Sequence, residues 1–264
     1  MIKLNNVIIE QNKFPDGTLL MKNTEKTDFE GNKIYWKYEN DGELFALICL
    51  VKSIRENNKD AIIWLHMPYI PHARQDRVKN PEDIFTLKYF CEVINSLNFY
   101  SVYVMDAHSN VSLALLDRVV EIKPNHTIVN AMNDIPEDKP LVIFYPDEGA
   151  MKRYSEMITA PYAFGIKKRK WETGEIEGLD VAGATDKIKD ANILIVDDIC
   201  SKGGTFYYSA LALRDLGAAN IYLYVTHCED TIHKGELLKT NLIKHIYTTD
   251  SILTKKHDKI TIVE

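Results

Sequence analysis

The chain has 264 residues, 45% of them hydrophobic and 27% charged, with a formal net charge of −6. That length suits two packed halves, and the balance is ordinary for a globular protein. The acidic charge, with no basic stripe to offset it, argues against a nucleic-acid surface, and no run approaches the roughly 20 apolar residues of a membrane helix. Met1-Ile2-Lys3-Leu4-Asn5-Asn6 lacks the apolar core of a cleavable signal, so a cytoplasmic location is expected. Cys49, Cys91, Cys200 and Cys228 are scattered without a C-x-x-C pair and indicate neither zinc nor a disulfide framework.

In chain order, Phe14-Pro15-Asp16-Gly17 reads first as a β-turn. Helical spacing over 42–56 precedes an apolar strand at 61–65, and a helix over 83–97 precedes a strand at 102–105. A break near Lys123-Pro124-Asn125 divides the chain into residues 1–124 and 125–264. Beyond it come a strand at 141–144, a helix over 149–158, a strand at 192–196, a helix over 206–216 and a strand at 221–225. Strand–helix alternation without repeats or low-complexity tracts predicts an α/β fold with largely parallel sheets.

The polar clusters fall just past the C-terminal ends of these strands, where open α/β sheets bind ligands. Strand 61–65 leads to Arg74-Gln75-Asp76-Arg77, and strand 102–105 to Asp106-Ala107-His108. Strand 141–144 leads to Pro146-Asp147-Glu148-Gly149, and strand 192–196 to Asp197 and Asp198, then Ser201-Lys202-Gly203-Gly204-Thr205. Strand, glycine loop and helix together offer free N–H groups to an anion, and paired carboxylates can hold ribose hydroxyls or the shell of a Mg²⁺ ion. Guanidinium groups such as Arg74 and Arg77 make bidentate contacts to phosphate oxygens. Lys167-Lys168-Arg169-Lys170, before a Gly/Glu-rich stretch, reads either as a solvated basic loop or as a lid whose cations close over transferring phosphates.

Asp197–Thr205 resembles the phosphoribosyl-pyrophosphate loop of phosphoribosyltransferases and ribose-phosphate pyrophosphokinases. Pro68-Tyr69 followed by Ala73-Arg74-Gln75-Asp76-Arg77 looks like the long signature of the pyrophosphokinases alone. Asp106-Ala107-His108, Pro146-Asp147-Glu148-Gly149, Asn40-Asp41 and Val225-Thr226-His227 are similar to further elements of that family, and the likeness runs from Phe14 to about Glu264. The chain reads as a short version of the family, without its first helix and its last.

The resemblance implies two tandem phosphoribosyltransferase type I-like domains, the first holding ATP and the second the ribose phosphate and the lid. It implies Mg²⁺-dependent transfer of the β,γ-diphosphate of ATP to the 1-hydroxyl of ribose 5-phosphate. Phe14 and Asp16 of a neighbouring subunit, with Arg74, Gln75, Asp76 and His108, would bind ATP, so the protein would be a homo-oligomer, a dimer or a hexamer. His108 and Asp147 would hold the metal. Lys168, Arg169 and Lys170 would be catalytic, and Asp197, Asp198, Ser201, Lys202, Gly203, Gly204 and Thr205 would bind ribose phosphate.

The chain departs from the family pattern at Thr18 (glutamate), Ala150 (glycine), Lys170 (arginine) and Ser201-Lys202 (aspartate, threonine). At the last pair an acid is lost and a cation gained, which would also suit a ribose with a larger 5-substituent such as ADP-ribose. A phosphoribosyltransferase, which needs no Arg-Gln-Asp-Arg element, and a non-catalytic regulatory homologue are the other readings.

Overall fold

The computed structural model describes residues 1–23, 31–169 and 176–264, without the side chains of 167–169 and 176–179. The chain divides into two compact units, Met1–Lys123 and Pro124–Glu264.

The first unit contains β1 (Ile2–Leu4), β2 (Val7–Ile8), the hairpin β3 (Gln11–Lys13) and β4 (Leu19–Met21), β5 (Asn32–Trp36), α1 (Gly42–Asn57), β6 (Ile63–His66), α2 (Thr86–Ser96), β7 (Ser101–Met105), α3 (Asn110–Leu115) and β8 (Val119–Ile122). Its sheet runs β2-β1-β5-β6-β7-β8. The strands from β5 to β8 are parallel, and β1 and β2 add an antiparallel edge. Alternate residues of the parallel strands, among them Ile34, Trp36, Ile63, Leu65, Val102 and Val104, are buried in one core with Leu47, Leu50 and Ile54 of α1 and Phe90 and Ile94 of α2. On the other face of the sheet Tyr35, His66 and Tyr103 form an edge-to-face row, half-buried.

The second unit contains α4 (Asn125–Asn133), β9 (Leu141–Tyr145), α5 (Glu148–Tyr154), β10 (Tyr162–Arg169), β11 (Ile176–Gly183), β12 (Asn192–Cys200), α6 (Gly204–Asp215), β13 (Asn220–Cys228), β14 (His245–Thr248) and β15 (Ile260–Ile262). The sheet order is β11-β10-β9-β12-β13-β14-β15, parallel except for the β10–β11 hairpin. Both faces are covered, which is why these strands read as continuous apolar runs rather than alternating ones. Val142, Phe144, Ile193, Ile195, Leu223 and Val225 pack with Phe206, Ala210 and Leu213 of α6. Their neighbours Ile143, Tyr145, Leu194, Val196, Tyr222 and Tyr224 pack with Ile128 of α4 and with Ala150 and Tyr154 of α5.

Every strand and helix read from the sequence is present, and the fold class is the expected one, α/β with largely parallel sheets. Element ends are corrected: α5 stops at Tyr154 rather than at 158, and β13 runs on to Cys228 rather than 225. β12 does not stop at Val196 but continues to Cys200, so Asp197 and Asp198 lie inside the strand. Backbone pairing to β13 at Asp197–Val225, Ile199–His227 and Cys200–Cys228 outweighs the poor strand propensity of aspartate. α6 likewise begins at Gly204 rather than Phe206.

At the start of α1 a buried carboxylate organises the first unit. Glu43 is 4% exposed and accepts bonds from Trp36 Nε1 at 3.0 Å, from the Glu39 backbone N–H at 2.8 Å and from the Met1 amino group. Removing it strands a buried indole N–H and an amide, each costly without a partner. Glu43→Ala is expected to destabilise the protein by about 2–4 kcal/mol, and Glu43→Gln, which keeps an acceptor oxygen, by clearly less. Urea unfolding followed by tryptophan fluorescence measures both.

Candidate active site

Two polar clusters form, one on each unit, at the C-terminal ends of parallel strands. In the second unit β12 delivers Asp197 and Asp198 on successive residues, which point to opposite faces of the sheet. Asp198 is 5% exposed and is paired with Arg153 of α5, Nη1 to Oδ2 at 3.1 Å. Arg153 also lies 5.8 Å above the Tyr154 ring. Asp197 accepts the Asp198 backbone N–H at 2.9 Å. Burial pushes the Asp197 carboxyl well above the usual carboxylate range, and the charges of Asp198 and, more weakly, Asp147 push it further. Asp147 caps α5, accepting the Ala150 N–H at 3.0 Å. The Ala150 methyl that stands where the family has glycine is buried.

After β12 the chain turns through Ser201, Lys202 and Gly203 into α6. Gly203, at φ +79°, is the N-cap of the helix, and its left-handed conformation demands glycine. A Cβ there would also meet Leu237 Cδ1 at 2.2 Å, whereas a Cβ on Gly204 would meet nothing within 4 Å. The turn therefore presents an open glycine face and the first N–H groups of a 12-residue helix, an arrangement suited to a phosphate. Thr205 is half-buried in the first turn of α6, and Lys202 is exposed.

In the first unit, the loops after β6 and β7 meet. Asp76, 5% exposed, accepts from Arg77 Nε at 2.7 Å and Nη2 at 3.0 Å in a bidentate pair. The Arg77 guanidinium holds the Asp76 carboxyl below its usual range, with smaller contributions from the Ser109 side chain and the charge of His108. Asp76 and His108 are thus neighbours. Gln75 accepts from the Thr86 hydroxyl at 2.8 Å, and Arg74 is exposed on the same loop.

Two non-glycine residues in left-handed conformations turn these loops, His72 at φ +63° and the buried Asp106 at φ +43°. Such backbone persists only where the surroundings enforce it, and it concentrates at functional sites. Sequence reading named neither as a turn, and it also missed Arg153; the only signal for Arg153 was a cation one helical turn after Glu148-Gly149.

The remaining expected residues lie on the hairpins β3–β4 and β10–β11 or outside the described residues. Phe14, 49% exposed, sits in the turn between β3 and β4, where Asp16 accepts from the Thr18 N–H at 2.9 Å and the Thr18 hydroxyl at 2.7 Å. Those two bonds hold the Asp16 carboxyl below its ordinary value. Lys168 and Arg169 lie on β10, paired in backbone register with Gly178 and Ile176 across a bulge, so this part of the basic run is strand rather than loop. Lys170 lies outside the described residues. Among the described residues no three His, Cys, Asp or Glu side chains gather closely enough to hold a metal ion.

Fold and clusters together define a two-unit α/β protein with an open glycine turn at a helix start on one unit and an arginine-rich loop beside a histidine on the other. No family profile matches the chain. It is 27% identical to the ribose-phosphate pyrophosphokinase of Saccharolobus solfataricus over 262 residues, 97% of this chain and 88% of that one. It is 30% identical to the ribose-phosphate pyrophosphokinase of Pyrococcus furiosus over 224 residues, 83% of this chain and 77% of that one. The crystal structure of phosphoribosylpyrophosphate synthetase from Mycobacterium smegmatis has the same fold, with a TM-score of 0.80 covering 97% of this chain and 85% of that one, at 16% identity. The chain belongs to the ribose-phosphate pyrophosphokinase family.

Because the folded state raises the Asp197 pKa, it holds a proton that the unfolded chain gives up near pH 4. Stability is consequently lost as pH rises from there through the raised value. Asp197→Asn, which removes the repulsion and keeps the acceptor oxygen, is expected to stabilise the EDTA-treated protein at neutral pH by about 1 kcal/mol and to flatten that decline. Thermal melts of both proteins between about pH 4 and pH 8 test the shift.

Proposed function

We propose that the protein is an ATP-dependent diphosphotransferase that makes phosphoribosyl pyrophosphate and AMP from ribose 5-phosphate and ATP. The 1-hydroxyl oxygen of the sugar attacks the β-phosphorus, the bond from that phosphorus to the AMP oxygen breaks with its electron pair going to AMP, and the hydroxyl proton passes to solvent. Chemistry of this kind needs positioning and charge neutralisation more than covalent help. The observation that carries the reading is the meeting of the Arg74–Arg77 loop with His108 in a family member that also has the open turn at Gly203-Gly204. A phosphoribosyltransferase has no use for the first of these, and a non-catalytic homologue would have no reason to keep Lys168, Arg169 and Lys170. Lys202 is exposed, and nothing in its surroundings favours a larger acceptor over ribose 5-phosphate.

In this reading Arg74, Gln75, Asp76 and His108 hold ATP, with Phe14 and Asp16 supplied by a neighbouring subunit of a homo-oligomer, a dimer or a hexamer. Asp197 and Asp198 orient the ribose hydroxyls, and Ser201 to Thr205 hold the 5-phosphate. Mg²⁺ fits the donors present, because Asp197 is crowded by two other carboxylates and Mg²⁺ binds through one or two carboxylates together with substrate phosphates. Asp147 would hold metal on the second unit, beside Asp197, and His108 would hold metal on the first. When bound it supplies neutralising charge to the phosphates. Lys168, Arg169 and Lys170 stabilise the transferring diphosphate. No helix among the described residues is long and apolar enough to cross a membrane. We place the protein in the cytoplasm because ATP and sugar phosphates, the proposed substrates, are held there.

Incubation with ATP, Mg²⁺ and ribose 5-phosphate is expected to release AMP, and excess EDTA to abolish that release. No AMP with any ribose acceptor, or AMP formation that survives EDTA, overturns the reading. Lys168→Ala is expected to lower kcat by at least about 10²-fold with little change in the KM for ATP, since its cation would act on charge in the transition state. Steady-state kinetics of the variant measures both constants.

A further inference from the structure

The reading above gives the 5-phosphate to the turn at 201–205, and the segment behind that turn contacts it at two points and the end of β12 at a third. The Glu229 N–H donates to the Cys200 carbonyl at 2.8 Å. Gly235 approaches the Lys202 peptide so closely that a Cβ on it would lie 1.9 Å from the Lys202 oxygen and 2.8 Å from its carbonyl carbon. The Leu237 side chain fills the space where a Cβ on Gly203 would stand. Gly235 has φ −89°, which any residue can adopt, so its glycine answers to space alone and not to backbone conformation.

The same segment is tied down on its far side and beneath. The Asp230 carboxylate accepts from the backbone N–H groups of Thr254 at 2.9 Å and Lys255 at 3.1 Å, and from the Thr254 hydroxyl. Ile232 and Leu237 are fully buried in the core that contains Phe206 of α6. The turn is therefore closed on the side of residues 229–237 and open at Gly204. A peptide pressed between a fixed backbone and a packed leucine has little freedom, and preorganised donors of this kind are what a compact phosphate dianion requires.

We infer that residues 229–237 form a brace that sets the phosphate-binding turn, with Gly235 and Leu237 as positioning residues for the ribose 5-phosphate. The inference rests on the function proposed above. Any side chain at 235 displaces the Lys202–Gly203 peptide and moves the N–H groups at the start of α6, with no direct effect on the ATP-holding loop of the other unit.

Gly235→Ala tests it. The KM for ribose 5-phosphate is expected to rise about tenfold or more while the KM for ATP stays within about twofold. Addition of inorganic phosphate is expected to shift the amide NMR signals of Gly203 and Gly204 in the unaltered protein and to leave them in place in the variant. An unchanged ribose 5-phosphate KM in folded Gly235→Ala, a parallel rise in both KM values, or equal phosphate-induced shifts in the two proteins overturns the brace. Should Gly235→Ala fail to fold, Leu237→Val carries the same measurements, with an expected rise of about threefold and the same overturning results. A wild-type protein that makes no AMP would sink the proposed function instead, and the phosphate titration would still decide the brace.

Discussion

Parallel strands packed on both faces leave no room for chemistry along their length. In the second unit the centres of β9, β12 and β13 are apolar on both sides, and a polar side chain there would have to find a partner in a dry layer. Polar groups are therefore confined to the points where strands leave the sheet, and parallel strands leave it at a shared edge. Asp147, Asp197, Asp198 and the turn at 201–205 share one such edge, and Asp76 and His108 share another in the first unit. The clustering is a consequence of burial, and the substrate chemistry is built on top of it.

The two edges are electrostatically unlike. In the first unit Asp76 is satisfied by a bidentate arginine and stays ionised without effort. In the second unit one acid of an adjacent pair, Asp198, has Arg153, while its neighbour Asp197 is crowded by like charge and resists ionising. Two adjacent carboxyls thus have different surroundings, an arginine behind one and like charge beside the other. A site so arranged favours whatever brings positive charge to Asp197, as a divalent cation would. The stability surrendered at that point is the usual trade between a relaxed fold and a prepared site.

Much of this was legible in the sequence, for identifiable reasons. Apolar runs such as Ile193–Val196 declare buried strands, and Arg74–Arg77 and Gly203–Thr205 are chemically unusual enough to stand out beside them. β12 was drawn too short because local propensity ends a strand at an aspartate, whereas the ladder to β13 carries it on to Cys200. The β10–β11 hairpin was not read as strand because β10 ends in a basic run and β11 intersperses acids and glycines among its apolar residues. Arg153 could not be distinguished from any surface cation on a helix until α5 was packed against β12. Gly235 reads from sequence only as turn punctuation, since its neighbour across space, Lys202, is more than thirty residues away in the chain.

The hairpin of β3 and β4 carries a further consequence. Its turn is closed by two backbone bonds, Phe14 N–H to the Thr18 carbonyl and Gly17 N–H to the Phe14 carbonyl, and locked again by Asp16 on Thr18. Loops that must be ordered on association give up part of their contact energy to that ordering. Here the ordering entropy is spent during folding, so the neighbouring surface proposed above to receive Phe14 would meet an aromatic ring on a backbone already fixed in shape. Discrimination at such a contact rests on fit and not on induced folding, and substitutions in the turn would alter the affinity of a contact they never touch.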